Sequence, residues 1–178
     1  DAKSLTVKKI IHAVCDADSP FKDEGKHLLI DEFGKQYGTY FSILDAISNG
    51  INTQGEIGAA LGDMSIGGQL KKLEETYELI RKVRPILAKK GTQTVRYEIS
   101  DLFLNFWFRY LEGNRTLIEM NQFEVLEKVI ASDYTTYSGK VLEKYFKQQF
   151  MESHEYRDMG SYWEAKKGKE QCEIDIVA

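Results

Sequence analysis

Eight basic residues crowd the stretch between positions 71 and 96: Lys71, Lys72, Arg81, Lys82, Arg84, Lys89, Lys90 and Arg96. Glu74, Glu75 and Glu78 are its acids, so the stretch carries an excess of five positive charges within a chain of formal net charge −4. Phosphate contact calls for a local basic surface of this kind, because Lys and Arg that neutralise backbone phosphates release condensed counterions. Gln69, just ahead of the run, could read a base edge, and Thr92 or Gln93 could touch the sugar-phosphate backbone. The competing reading is a solvated charged surface used for protein contacts, with the three glutamates repelling phosphate wherever they share a face with the lysines. A second group is acidic. Glu173 and Asp175 stand two residues apart in a run where acids alternate with Ile174, Ile176 and Val177. That alternation predicts a half-buried strand, and the spacing puts both carboxylates on one strand face. Carboxylates facing a cleft are hard oxygen ligands suited to Mg²⁺. Their plain alternative is the solvent face of an amphipathic strand.

Other chemistry finds little support. His12, His27 and His154 have no mutual spacing that suggests metal binding or catalysis, and Cys15 and Cys172 lie far apart. A phosphate-binding loop needs G-x-x-x-x-G-K-[ST]. Gly25-Lys26-His27 has Pro20 where the first glycine belongs and His27 in place of the hydroxyl, and Gly168-Lys169-Glu170 lacks the hydroxyl as well. ATP binding of that kind is not expected from these residues.

The elements that would position these groups follow from periodicity. The chain has 178 residues, 42% hydrophobic and 29% charged, ordinary for one large or two small soluble domains. No apolar run approaches the roughly 20 residues needed to span a bilayer. With two unpaired thiols this favours a reducing, cytoplasmic setting. Leu5 to Val14 suits a short helix, and Phe21 to Phe33 reads as a linker with one helical turn. Tyr40, Ile43, Leu44 and Ile47 predict a helix ended by Asn49-Gly50. Thr53 and Glu56 form a capping box for a second, closed by Gly62, and Ser65 caps a third through Leu70, Leu73 and Tyr77. Two β-type runs follow, Leu79 to Val83 and Thr94 to Ile99. Three short helices and a hairpin is the order of a winged helix-turn-helix. Phe103, Phe106, Trp107 and Tyr110 then fall at helical spacing, with Leu102, Leu104 and Phe108 filling the circumference. Such a helix is expected to be buried nearly all round, so its rings are core and not a base-stacking platform. Phe123 to Ile130 reads as a short helix and Tyr134 to Met151 as a longer one, followed by a hairpin after Gly160. The fold class expected is mainly α with small β.

The run from Tyr97-Glu98-Ile99-Ser100-Asp101 through Leu102-Phe103-Leu104-Asn105-Phe106-Trp107-Phe108-Arg109-Tyr110 resembles a signature of the archaeal-type AAA-class ATPases. Ser19-Pro20-Phe21, Glu24-Gly25, Tyr40 to Gly50, Thr53 to Gly62, Gly139 to Glu143, Tyr162-Trp163 and Glu173-Ile174-Asp175 agree with it in order. Leu102 stands where that family usually has Pro, and Asn105 where it often has Arg. The resemblance implies an ATPase lid and linker end over residues 1–35, and a winged helix over 36–99. Residues 100–178 would then be a helical linker and the start of a restriction-endonuclease-like domain. It also implies nuclease-type roles for Glu143 on a helix and Asp175 on the next strand, with Glu173 as companion. These would hold a catalytic metal together with a Glu/Gln-x-Lys pair one strand later, expected beyond Ala178.

The first residue is Asp1 and the last strand-like run reaches Ala178, so the chain is expected to be a piece of a longer protein. On this reading it holds no cofactor of its own, while the parent uses ATP and Mg²⁺ on an N-terminal ATPase core. Its job would be to couple that core to DNA or to a protein target, away from any membrane. Two other classes remain open. A free-standing winged-helix transcription regulator would dimerise on paired half-sites. A metal-dependent nuclease would cleave through Glu143 and Asp175.

Overall fold

The computed structural model of the protein describes residues 6–34, 37–87, 95–164 and 172–178. The architecture is α+β, mostly helical with two small antiparallel hairpins. Helix α1 (Val7–Cys15) begins at Thr6, whose side chain accepts from the Lys9 amide. Helix α2 (Phe21–Phe33) follows directly on Pro20 and corrects the expected linker. Asp23 and Glu24 in its first turn complement the helix dipole, and Gly34, at φ +51°, closes it by donating to the Ile30 carbonyl. Helix α3 (Tyr37–Ser48) ends at Asn49-Gly50 as expected, and Gly50 takes φ +87°.

Helix α4 (Gln54–Ala60) is capped by Thr53, whose hydroxyl oxygen accepts from the Glu56 amide and donates to the Glu56 carboxylate at 2.8 Å. Ser65 does not cap the next helix, α5 (Gly67–Glu75). Its N-cap is Ile66, buried to 1% exposure, with no side-chain cap. Anchoring an apolar residue in the core there outweighs a hydroxyl cap. Strands β1 (Ile80–Val83) and β2 (Arg96–Ile99) pair antiparallel, with Ile80 opposite Ile99 and Arg81 opposite Glu98.

The aromatic run departs from a plain helix. Helix α6 (Leu102–Phe106), capped by Asp101 at 2.7 Å from the Leu104 amide, widens into a π turn over Trp107–Leu111 and tightens into a 3₁₀ turn over Glu112–Asn114. Burial is also less complete than all round. Trp107, Phe108, Tyr110 and Leu111 are buried, but Leu102 is 46% exposed. After α7 (Arg115–Glu119) comes α8 (Phe123–Ser153), a single helix of 31 residues where the sequence predicted two. No Pro or Gly interrupts residues 130–134, and Asp133 there is engaged by neighbours rather than breaking the helix. Strands β3 (Gly160–Trp163) and β4 (Glu173–Val177) form the second hairpin, with an irregularity between Gly160 and Tyr162.

One apolar cluster runs from Ile11 on α1 to Ile130 on α8, through α2, α3, α5, both strands of the first hairpin and the aromatic run. The rings meet edge on: Phe41 of α3 packs against Trp107 at 5.8 Å and Phe108 at 4.8 Å between centroids. The Trp107 indole N–H donates to the Lys22 carbonyl of α2 at 3.0 Å. The three segments predicted from the sequence therefore share this core. Among the described residues no helix is long and apolar enough to cross a membrane.

Candidate functional site

Residues of the first hairpin and of the second line a common cleft of about 1060 Å³. One wall comes from α4 and its flanks, with Asn52, Thr53, Gln54, Glu56, Asp63 and Ser65. The lining also includes four cations from separate parts of the chain: Lys82 on β1, Arg84 just after it, Arg96 on β2 and Lys140 on α8. Trp163, Glu164 and Glu173 of the second hairpin close it.

Arg96 is the hinge of this arrangement. Its guanidinium forks onto Glu173, with Nη1 2.5 Å from Oε1 and Nη2 3.5 Å from Oε2. It also lies over the Trp163 ring at 4.5 Å, a cation–π contact. Trp163 and Glu173 are cross-strand partners on β3 and β4, so their side chains share a sheet face. That is why one guanidinium reaches both. A backbone bond from the Ile86 amide to the Ser161 carbonyl, 2.7 Å, ties the segment after β1 to the edge of β3 as well.

The other basic residues picked from the sequence are dispersed. Lys71 pairs with Glu75 on α5 at 3.7 Å. Arg81 reaches Glu98 across the hairpin at 3.0 Å, and Lys144 of α8 approaches the same carboxylate at 3.4 Å. Burial works to raise the Glu98 carboxyl, but Lys144 and Arg81 outweigh it and hold the group below its ordinary value. Lys82 pairs with Glu74 at 2.5 Å, which holds the ammonium above its ordinary value against the opposing effect of burial. Lys72 and Arg84 are exposed, and neither forms an ion pair with a described residue. Gln69 is half-buried. Lys89, Lys90, Thr92 and Gln93 lie outside the described residues.

Sequence reasoning missed the roles of Glu98 and Glu173 as counter-charges to Arg81 and Arg96, and the cleft residues Lys140 and Trp163. The Arg81–Glu98 pair was available from the hairpin register. The Arg96–Glu173 pair joins residues 77 apart and had no local signal.

Two of the three predicted acidic residues are engaged by cations. Glu143 is held by Lys147 of the next helical turn, which also donates to Ser161 Oγ at 2.5 Å. Glu173 is held by Arg96, and Asp175 is exposed on β4. Among the described residues no group of three His, Cys, Asp or Glu could hold a metal ion. His12 lies 3.2 Å from Glu127, joining α1 to α8, and His154 takes a left-handed conformation at the end of α8.

The two thiols differ sharply. Cys15 is 2% exposed and its thiol is pushed up to about 11, first by burial and then by Glu127, whereas Cys172 is exposed. Iodoacetamide at pH 8 should therefore label Cys172 alone in the folded chain. Peptide mapping that finds equal labelling of Cys15 would contradict the packing of α1 on α8.

Residues 107–178 match the DUF234 family, described as archaea bacterial proteins of unknown function. That segment includes Lys140, Trp163 and Glu173 of the cleft but none of its α4 wall. An uncharacterised protein of Methanocaldococcus jannaschii is 34% identical over 170 residues, covering 90% of this chain and 37% of that protein. The chain thus spans little more than a third of the length of this relative. No solved structure matches.

Proposed function

We propose that this chain is a coupling segment of a longer archaeal-type ATPase: a winged helix over α3–α5 and the first hairpin, fastened to the beginning of a nuclease-like domain. An N-terminal core elsewhere in the parent would use ATP and Mg²⁺, and this segment would carry its motion to bound DNA. The observation that carries the reading is the convergence of Lys82, Arg84, Arg96 and Lys140, from β1, the segment after it, β2 and α8, onto one cleft. Glu56, Asp63, Glu164 and Glu173 line it too, and cations there that can exchange or lack a carboxylate partner suit sequence-independent contact with nucleic-acid phosphates.

The extent of the longer relative supports a role within a larger protein. The engagement of Glu143 by Lys147 and of Glu173 by Arg96 favours coupling over metal-dependent cleavage. The ion pairs made by Lys71, Arg81 and Lys82 likewise favour weak, general phosphate contact over base reading along α5.

Titration of duplexes of unrelated sequence at two salt concentrations tests this. Similar affinities that fall steeply with salt are expected, and Arg84→Ala with Lys140→Ala should flatten the salt slope by about two contacts. Sequence-specific binding by a dimer would replace the coupling role with that of a transcription regulator. An absence of binding at low salt would remove the nucleic-acid reading.

A further inference from the structure

We infer that Glu173 occupies the place of a nucleic-acid backbone phosphate, so that the Arg96–Glu173 pair is a latch which a phosphate must displace. The inference rests on the phosphate-contacting reading of the cleft and adds how that site is regulated. Three observations converge on it.

The first is geometric. A carboxylate and a phosphate each offer two oxygens at a spacing that a guanidinium fork can grip, and Arg96 already grips Glu173 with both of its terminal nitrogens. The carboxylate therefore satisfies the same donors a phosphate would use.

The second is support. The Arg96 side chain is 25% exposed and rests on the Trp163 ring, while the Glu173 side chain is 52% exposed. The acid is the partner free to swing into water. The guanidinium stays on the indole and keeps its aim, so little further ordering is needed when a new anion arrives.

The third is the setting. Arg84 and Lys140 line the same cleft, and Arg84 has no carboxylate partner among the described residues. The acids Glu56 and Asp63 line the cleft from α4 and the segment after it. A strand of phosphates entering the cleft is drawn to its cations, and Arg96 is the one that a carboxylate of the cleft lining already holds, through Glu173. Of the other carboxylate there, Glu164, one oxygen already accepts from the Tyr162 hydroxyl at 3.3 Å.

The test compares the full chain with Glu173→Gln, Arg96→Ala and the double variant, using a short fluorescein-labelled duplex at low and moderate salt. Glu119→Gln removes the same charge from α7, outside the cleft. Glu173→Gln should bind about fivefold tighter than the unsubstituted chain, the factor expected for removing a partly exposed competing ion pair. Glu119→Gln should match the unsubstituted chain, and the gain should vanish in the double variant.

Trp163 reports the same event without any substitution. Duplex binding should shift its emission as the Arg96 contact rearranges, and inorganic phosphate at equal ionic strength should not. Equal affinities for Glu173→Gln and the unsubstituted chain, with binding intact, would overturn the latch and leave the phosphate-contacting reading standing. So would unchanged emission with duplex bound. An emission shift reproduced by inorganic phosphate would assign the site to a free anion and overturn the inference. Loss of binding in every protein, the unsubstituted chain included, would overturn both.

Discussion

Gly25→Ala is expected to destabilise the chain by about 3 kcal/mol, although alanine is the better helix former. A Cβ on Gly25 would stand 2.2 Å from Trp107 Cδ2 and within 2.7 Å of two more indole carbons. The propensity gain on replacing Gly inside a helix is about 1 kcal/mol. Overpacking against a side chain that cannot move costs up to about 3 kcal/mol or more. Trp107 cannot move freely: it is fully buried, its N–H is bonded to the Lys22 carbonyl, and Phe41 and Phe108 pack on it edge on. Sterics should win. Trp107→Ala should itself cost about 3–5 kcal/mol through lost burial and a cavity.

The two changes should be strongly non-additive, because once the indole is gone the added methyl enters empty space. In the Trp107→Ala background, Gly25→Ala should be neutral or stabilising. Urea unfolding of the four proteins, followed by circular dichroism, measures the coupling directly. A Gly25→Ala midpoint at or above that of the unsubstituted chain would mean that α2 does not approach the indole as described.

The same contact explains why α2 was not legible. A mid-helix glycine lowers helix propensity, and of Leu28, Leu29 and Ile30, which suggested one helical turn, Leu28 and Ile30 prove exposed while Leu29 is buried together with Phe33. Gly25, Leu29 and Phe33 make one face at intervals of four, a pattern that becomes visible only once Trp107 is known to press against the glycine. Helix α3, both hairpins and the Thr53 cap were readable because their determinants are local: a 3.6-residue stripe, an alternating run, a hydroxyl three residues ahead of a glutamate. The break expected within α8 was a misreading of polar residues as a boundary. Ser132 and Asp133 sit mid-helix with partners, Ser132 donating to the Val129 carbonyl and Asp133 accepting from Arg109 and Tyr110.

For the candidate site the divide is similar. The basic wall was legible as composition, since Lys82, Arg84 and Arg96 lie close in the chain. What neutralises it was not, because Glu173 reaches Arg96 only through the packing of the second hairpin. Charge counted along a sequence overstates a phosphate-binding surface whenever distant carboxylates fold onto it.

Asp133 offers the second large effect, and one with a pH signature. Its Oδ2 accepts from Arg109 Nε at 2.8 Å and from the Tyr110 hydroxyl at 2.7 Å, while Arg109 Nη1 also donates to the Ser48 carbonyl on α3 at 3.3 Å. Asp133→Asn keeps the shape but strands a half-buried guanidinium, and should destabilise by about 2–3 kcal/mol near neutral pH, the range for hydrogen bonds to charged groups. Burial tends to raise the Asp133 carboxyl, but the hydrogen bonds from Tyr110 and Arg109 outweigh it and hold the group below its ordinary value. The unfolded chain therefore takes up this proton more readily than the folded one. The stabilisation is whole above the unfolded value of about 3.9 and is lost as pH falls through the lower folded value. The gap between the two proteins in urea midpoint should accordingly be constant from neutral pH down to about pH 5 and narrow progressively as pH falls below about 3.9. A gap that persists undiminished in acid would show that Asp133 acts by shape and not by charge. Because Lys140 lies two helical turns further along α8 and lines the cleft, loosening this anchor should also weaken duplex binding without touching any cleft residue.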